Sequence, residues 1–216
     1  MSQTVIQLVL FIPVFLFSLC LHELAHGVVA WRLGDPTAKM AGRLTLSPMA
    51  HADMMGTIVL PALCVLSGFP FVGWAKPVPV DVRYFKHPRW YMALVAFAGP
   101  ASNLLLAGIA TALLAGAIRI PNLAIGGLEF GGPAQLILLV TMQANLMLAF
   151  LNLLPIPPLD GFNILQFFIP LRAAGFFYKL TPVLSIGLLA LMVFGGLKYL
   201  AVPVQWAFRY LLGLIA

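Results

Sequence analysis

Apolar runs long enough to cross a bilayer recur along this chain, and they constrain its fold more than any other feature. Clear ones lie at 4–33, 91–118, 134–154 and 180–200, against the roughly 20 apolar residues that a spanning helix needs. Inside hydrocarbon no water can pair with exposed backbone groups, so such runs fold as helices whose N–H and C=O groups bond within the segment. Of the 216 residues only 8% are charged and 62% are hydrophobic, where soluble domains carry about a quarter charged residues. The chain therefore reads as an all-α polytopic membrane protein with about five to six membrane segments. One integral-membrane domain over 1–216 is expected, with a core at about 4–171 and C-terminal membrane segments at about 176–216. Residues 204–216 are short for a crossing, and a tilted, partial or interfacial segment is expected there. The first run lacks the basic start and small-residue cleavage site of a signal peptide, so it is expected to persist in the mature protein. Cys20 and Cys64 sit inside apolar runs, where free Cys behaves as a small hydrophobe and no disulfide framework is indicated.

Charge sets the expected topology. Twelve Lys and Arg against six Asp and Glu leave a net +6, with the basic residues at loops and helix ends. That is the footprint of membrane orientation, and no nucleic-acid partner is expected. Arg32, Lys39 and Arg43 follow the first run, while Lys76, Arg83, Lys86 and Arg89 precede the run at 91–118. The positive-inside rule places both groups in the cytoplasm. A complete crossing between them would separate them, so 54–72, interrupted by Pro61, Gly68 and Pro70, is expected to re-enter or to form two half-helices. The N-terminus is then extracytoplasmic, the loop at 119–132 lies outside, and the break after Leu154 is cytoplasmic. Strand-like pieces at 41–46 and 74–82 predict a small membrane-associated β element, the prolines of the second confining it to an edge.

Within the first run the sequence reads His22-Glu23-Leu-Ala-His26. Histidines at i and i+4 lie on one helix face, about a turn apart, so both imidazoles reach one ion, and zinc is the natural candidate. Glu23 is placed to take a proton from water that zinc acidifies. Each ionisable residue in a span costs about 3 kcal/mol or more, which weighs against a chance match. The plainer alternative makes these side chains polar glue between helices. A catalytic zinc site takes three protein ligands and leaves a fourth position open. Asp160 stands in Asn152-Leu-Leu-Pro-Ile-Pro-Pro-Leu-Asp160-Gly161, at the broken end of an apolar helix. It is the leading third ligand, although a turn role before Gly also fits it. Glu129 falls in the loop expected on the opposite side, and His51, Asp53 and His87 fall in loops. If Arg32 marks the cytoplasmic interface, His22 lies about 15 Å below it at a rise of 1.5 Å per residue. A broken helix entering from the same side can reach that depth.

Three segments, His22-Glu23-Leu-Ala-His26, Phe97-Ala-Gly99-Pro100-Ala-Ser-Asn103 and the stretch from Asn152 to Gly161, together resemble the signature segments of the site-2 protease family of intramembrane zinc metalloproteases. Gly42-Arg43-Leu-Thr-Leu-Ser-Pro48, His51-Ala-Asp53 and Gly73-Trp74-Ala-Lys-Pro-Val-Pro-Val80 resemble its compact prokaryotic branch without an appended regulatory domain. The resemblance covers roughly residues 15–165. It implies one zinc per chain bound by His22, His26 and Asp160, Glu23 as general base, and Asn152 holding the substrate backbone or oxyanion. It also implies a substrate that is a transmembrane segment of a partner protein or a leftover signal peptide, in a prokaryotic cell membrane with the active site nearer the cytoplasmic face. From the residues themselves, Asn103 reads as an interhelical hydrogen-bond donor, and Gly99 and Pro100 as allowing close packing and a kink. Asn145 and Gln143 are polar positions on the span at 134–154, without an assigned role.

A helical substrate has its amides and carbonyls paired internally, so hydrolysis within the bilayer needs water and an unwound peptide. The segment at 54–72 is expected to admit water. The piece at 74–82 is expected to pair with substrate by strand addition through Val78 and Val80, or else to anchor the protein at the interface. The rival function is a membrane metal-binding or transport protein, or an inactive scaffold retaining His22, His26 and Asp160 without need of Glu23. A serine intramembrane protease is disfavoured because no Gly stands two positions before Ser67, and an aspartyl type needs two membrane Asp residues where only Asp160 qualifies.

Overall fold

The computed structural model describes residues 3–59, 75–119, 124–125, 128–129 and 133–215. Four of its helices are long and apolar enough to cross a membrane, over Leu10–Arg32, Pro88–Ala117, Ala134–Asn152 and Leu171–Leu191. In chain order the α-helices are α1 (Gln3–Arg32), the one-turn α2 (Thr37–Met40) and α3 (Pro48–His51), α4 (Pro88–Arg119), α5 (Pro133–Asn152), α6 (Asp160–Phe168), α7 (Leu171–Val193) and α8 (Leu197–Gly213), with a π-helical turn at Met54–Val59 and a 3-10 turn at Val82–Tyr84.

Helix α4 is the centre of the bundle, packed against α1, α5 and α6. A row of its buried positions runs through Ala93, Ala96, Pro100, Asn103, Ala107, Ala110, Leu114 and Ala117. They alternate three and four apart, which puts them on one seam of the helix. Most are small. In lipid no hydrophobic force drives helices together, so a small-residue seam matters because it lets neighbouring backbones approach closely. Ala107 and Ala110 meet Met142 and Leu146 of α5 and Val204 of α8 in one core cluster. Around a second cluster, Ala30 of α1 and Val95 of α4 close over Phe85. Helix α7 is outermost, and of its described side chains only Leu188 is buried.

Several expectations need correction. The span expected at 180–200 is instead α7, which begins at Leu171 and ends at Val193 before a turn with Gly195 at φ +80°. Arg172 and Lys179 lie exposed on it, where long basic side chains keep their charge in water while their stems run along apolar surface. The short segment expected at 204–216 is the end of α8, a 17-residue helix starting at Leu197. The strand expected at 41–46 is a run of turns and bends. Gly42, at φ +66°, and Arg43 bond back to Lys39 and Ala38, while the Arg43 side chain and His51 cap the carbonyls of Ala50 and Thr45. Residues 75–81 likewise form no ladder. The ladder found among the described residues is a two-residue pair, Ala124–Ile125 against Leu128–Glu129.

The interior of the expected re-entrant segment, 60–74, lies outside the described residues. Its flanks do meet, since Lys76 N donates to His51 O at 2.9 Å. Both basic groups therefore gather at the same end of the bundle, where Arg89 of α4 also bonds the carbonyls of Gln166, Phe167 and Ile169 at the end of α6.

Candidate metal centre

Three elements bring the site together. Helix α1 presents His22 and His26 on one face, and their Nε2 atoms are 3.0 Å apart. The irregular stretch after α5 turns the chain back, so that Asp160, the first residue of α6, meets them. Its Oδ2 lies 3.1 Å from His22 Nε2 and 3.3 Å from His26 Nε2. Gly161 makes this turn possible, because a Cβ there would collide with the carbonyls of Leu153 and Leu154. Helix α4 closes the back of the site with Gly99, where a Cβ would fall 2.5 Å from ring atoms of both histidines. The close packing expected at Gly99 is therefore a contact between the α4 backbone and the two imidazoles.

Hydrogen bonding determines which nitrogens face inward. Val95 O can only accept, and His26 Nδ1 lies 2.7 Å from it, so His26 carries its proton on Nδ1 and turns a lone pair inward at Nε2. For His22 the assignment runs through a buried chain of amides. Asn145 Nδ2 donates to Thr141 O and to Ser18 Oγ, which leaves its Oδ1 to accept from Asn103 Nδ2 at 2.8 Å. Asn103 then faces His22 with its oxygen, 2.6 Å from Nδ1. His22 must donate there, so its Nε2 is also an inward lone pair. Ser18, Asn103 and Asn145 have no exposed surface. The donor expected at Asn103 is real, but its function is to orient a histidine.

With both imidazoles neutral, three acceptors thus converge on one point. Asp160 Oδ2 is buried and receives no hydrogen bond, an arrangement that is costly unless a cation lies between the groups. Two imidazoles and a carboxylate form a zinc donor set, and ligands at tetrahedral zinc distances sit about 3.4 Å from one another. The observed separations come within a few tenths of that value. Among the described residues this is the group of three that could hold a metal ion. Asn103→Ala should loosen it, weakening zinc affinity by about 10–100-fold as such supporting hydrogen bonds do elsewhere. Competition against a chromophoric chelator measures this, and unchanged affinity would detach the amide chain from the metal.

Glu23, one position beyond His22, stays out of the cluster. Its Oε2 accepts the Val78 N–H at 2.9 Å. Glu23 and Asn152 line the same cavity as the three ligands, a space of about 1530 Å³. Asn152 sits at the end of α5, its Nδ2 donating to Leu148 O at 2.9 Å. Gln143 also lines the cavity. His51 is buried elsewhere, with Nε2 on Thr45 O. At Val78 the strand-addition expectation meets a physical obstacle. The Val78 N–H is already committed to Glu23, and Pro77 and Pro79 on either side have no N–H to offer.

Comparison with known proteins converges on the same chemistry. Residues 10–125 match the profile of Peptidase family M50. The chain is 42% identical over 178 residues to "Putative zinc metalloprotease YwhC" of Bacillus subtilis, covering 82% of this chain and 75% of that protein. It is 38% identical over 168 residues to "Putative zinc metalloprotease Rip2" of Mycolicibacterium smegmatis, and 37% over 164 residues to the Rip2 of Mycobacterium tuberculosis. Each Rip2 match covers 73% of this chain but 56% of the relative, so the chain spans little more than half of those proteins. No solved structure gives a significant match.

Proposed function

From the premise that this chain belongs to Peptidase family M50, we propose that it is an intramembrane zinc endopeptidase with His22, His26 and Asp160 as metal ligands and Glu23 as general base. The observation that carries this reading is the meeting of two imidazole nitrogens and a carboxylate oxygen beside a second carboxylate held by a backbone N–H. A transport or scaffold role would require the ligands but gives no reason for Glu23 to stand in the same cavity.

Zinc, when bound there, supplies a Lewis acid that polarises the scissile carbonyl and acidifies water. Glu23 takes the proton as the water oxygen bonds to the carbonyl carbon. It then delivers that proton to the amide nitrogen as the C–N bond breaks, giving a carboxylic acid and an amine. Asn152 serves the substrate backbone or the developing oxyanion by giving up its bond to Leu148 O.

The shape of the cavity supports the substrate reading. Its lining includes Leu136, Val140, Gln143, Met147 and Leu151 on α5, positions three or four apart that form one stripe along the helix. From Leu136 to Asn152 the stripe covers roughly 24 Å at 1.5 Å per residue, most of the hydrocarbon thickness of about 30 Å. A groove of that length and apolar character suits a transmembrane segment of a partner protein or a leftover signal peptide. The basic groups at one end of the bundle support a site nearer the cytoplasmic face. Val140→Trp should fill the groove and lower cleavage of a single-span substrate by about tenfold or more, a loss of about 1.4 kcal/mol, with bound zinc unchanged. Leu105→Trp, at an exposed position on α4, should leave cleavage intact. Equal activity in both variants would count against the groove.

A further inference from the structure

Asp35 has no exposed surface, and no Lys or Arg pairs with it among the described residues. A buried carboxylate is retained only if its oxygens are fully used. One oxygen accepts from the N–H and hydroxyl of Thr37, at 2.9 and 2.5 Å. That is an ordinary Asx turn joining α1 to α2, and it would explain the residue if the bonding ended there. The second oxygen instead accepts the Asp81 N–H at 2.7 Å, from 46 positions away. The Asp81 side chain is turned outward, where the Arg83 guanidinium bonds it and holds its carboxyl below the ordinary carboxylate range.

Residues 75–81 form no ladder, and the segment is held by hydrogen bonds at three points together with the packing of Ala75, Val78 and Val80. Its start is tied by Lys76 N to His51 O and its end by Asp81 N to Asp35. Midway between them, Val78 N meets Glu23 Oε2. The prolines at 77 and 79 stiffen the span between the ties, because proline fixes φ. We infer that Asp35 is a positioning residue for Glu23: it pins the end of this segment so that the Val78 N–H holds the Glu23 carboxylate in place. The inference rests on the reading of Glu23 as the base, so its test carries a readout that does not depend on catalysis.

Asp35→Asn keeps the shape of the side chain, but an amide cannot accept at both ends, and Asp35→Ala removes all the acceptors. In both variants, hydrogen–deuterium exchange of the peptide spanning 75–81 should speed up about tenfold or more, as expected where pinning bonds are lost. kcat on a single-span substrate should fall about 10–100-fold, the scale of a misplaced catalytic group, with KM within about twofold and zinc content unchanged. Thr37→Val spares the Asp81 bond and should match wild type in exchange over 75–81, kcat and zinc content. Unchanged exchange in the Asp35 variants, or faster exchange with unaltered kcat, overturns the inference. So does zinc loss in both, which would make Asp35 a support of the whole site. Full activity in Glu23→Gln would instead overturn the base reading, whatever the exchange result. Should Asp35→Ala fail to fold, the isosteric Asp35→Asn decides alone.

Discussion

Glu23→Gln is expected to reduce kcat by about 10²–10⁴-fold, the usual contribution of a general base, while leaving zinc content and KM unchanged. The substitution isolates one property of the side chain. A glutamine has the same length, fits the same space in the cavity, and its carbonyl oxygen can still accept the Val78 N–H that Glu23 accepts at 2.9 Å. It cannot take a proton from water. Glu23 is not among the three clustered ligands, so the metal should stay. A loss confined to kcat marks an interaction made only in the transition state. Zinc loss in this variant would make Glu23 a ligand, and full activity would remove it from the chemistry.

Gly99→Ala should have an equally large effect by a different physical route. The new Cβ would sit 2.5 Å from His22 Cε1, His26 Cε1 and His26 Nε2, well inside van der Waals contact. Neither ring can swing away freely, since Asn103 Oδ1 and Val95 O hold their other nitrogens. Overpacking a tight interior costs typically about 1–3 kcal/mol, and here the strain falls on the atoms that would bind metal. Purified Gly99→Ala should carry little or no zinc at stoichiometric supply and melt at a lower temperature. Gly108 supplies the control on the same helix. Nothing lies within 4 Å of a Cβ there, so Gly108→Ala should keep its zinc and be neutral or more stable by up to about 1 kcal/mol, the helix-propensity gain. Zinc retained in Gly99→Ala would mean that the histidines can move, contrary to the packing described.

The three side chains that cluster as candidate metal ligands were legible in the sequence. His22 and His26 at i and i+4 can face only one way from a helix, and Asp160 followed from the shortage of other acids at membrane depth. The positions that act through neighbours were much less so. Asn103 reads as a generic donor because nothing in its local sequence says that His22, 81 positions away, supplies the partner. Asn145 and Ser18 lie further along the same chain of bonds. Asp35 precedes Pro36 and looks like a turn residue, and its bond to Asp81 N depends on tertiary packing alone. The strand pattern at 41–46 was overridden by turn bonds at Gly42 and by side chains that took the local carbonyls. The start of α7 was misplaced because hydropathy puts a boundary at Lys179, whereas a helix continues wherever its backbone is paired and its charges reach water.

The zinc K-edge absorption spectrum of the purified wild-type protein reads the metal's neighbours at His22, His26 and Asp160 without needing a substrate. The expected spectrum shows two imidazole nitrogens at about 2.0–2.1 Å, a carboxylate oxygen at about 2.0–2.2 Å and a further light atom from solvent, with no sulfur. A sulfur neighbour at about 2.3 Å would instead implicate a cysteine such as the buried Cys20. That result, or a protein that takes up no zinc at all, would contradict the assignment of His22, His26 and Asp160.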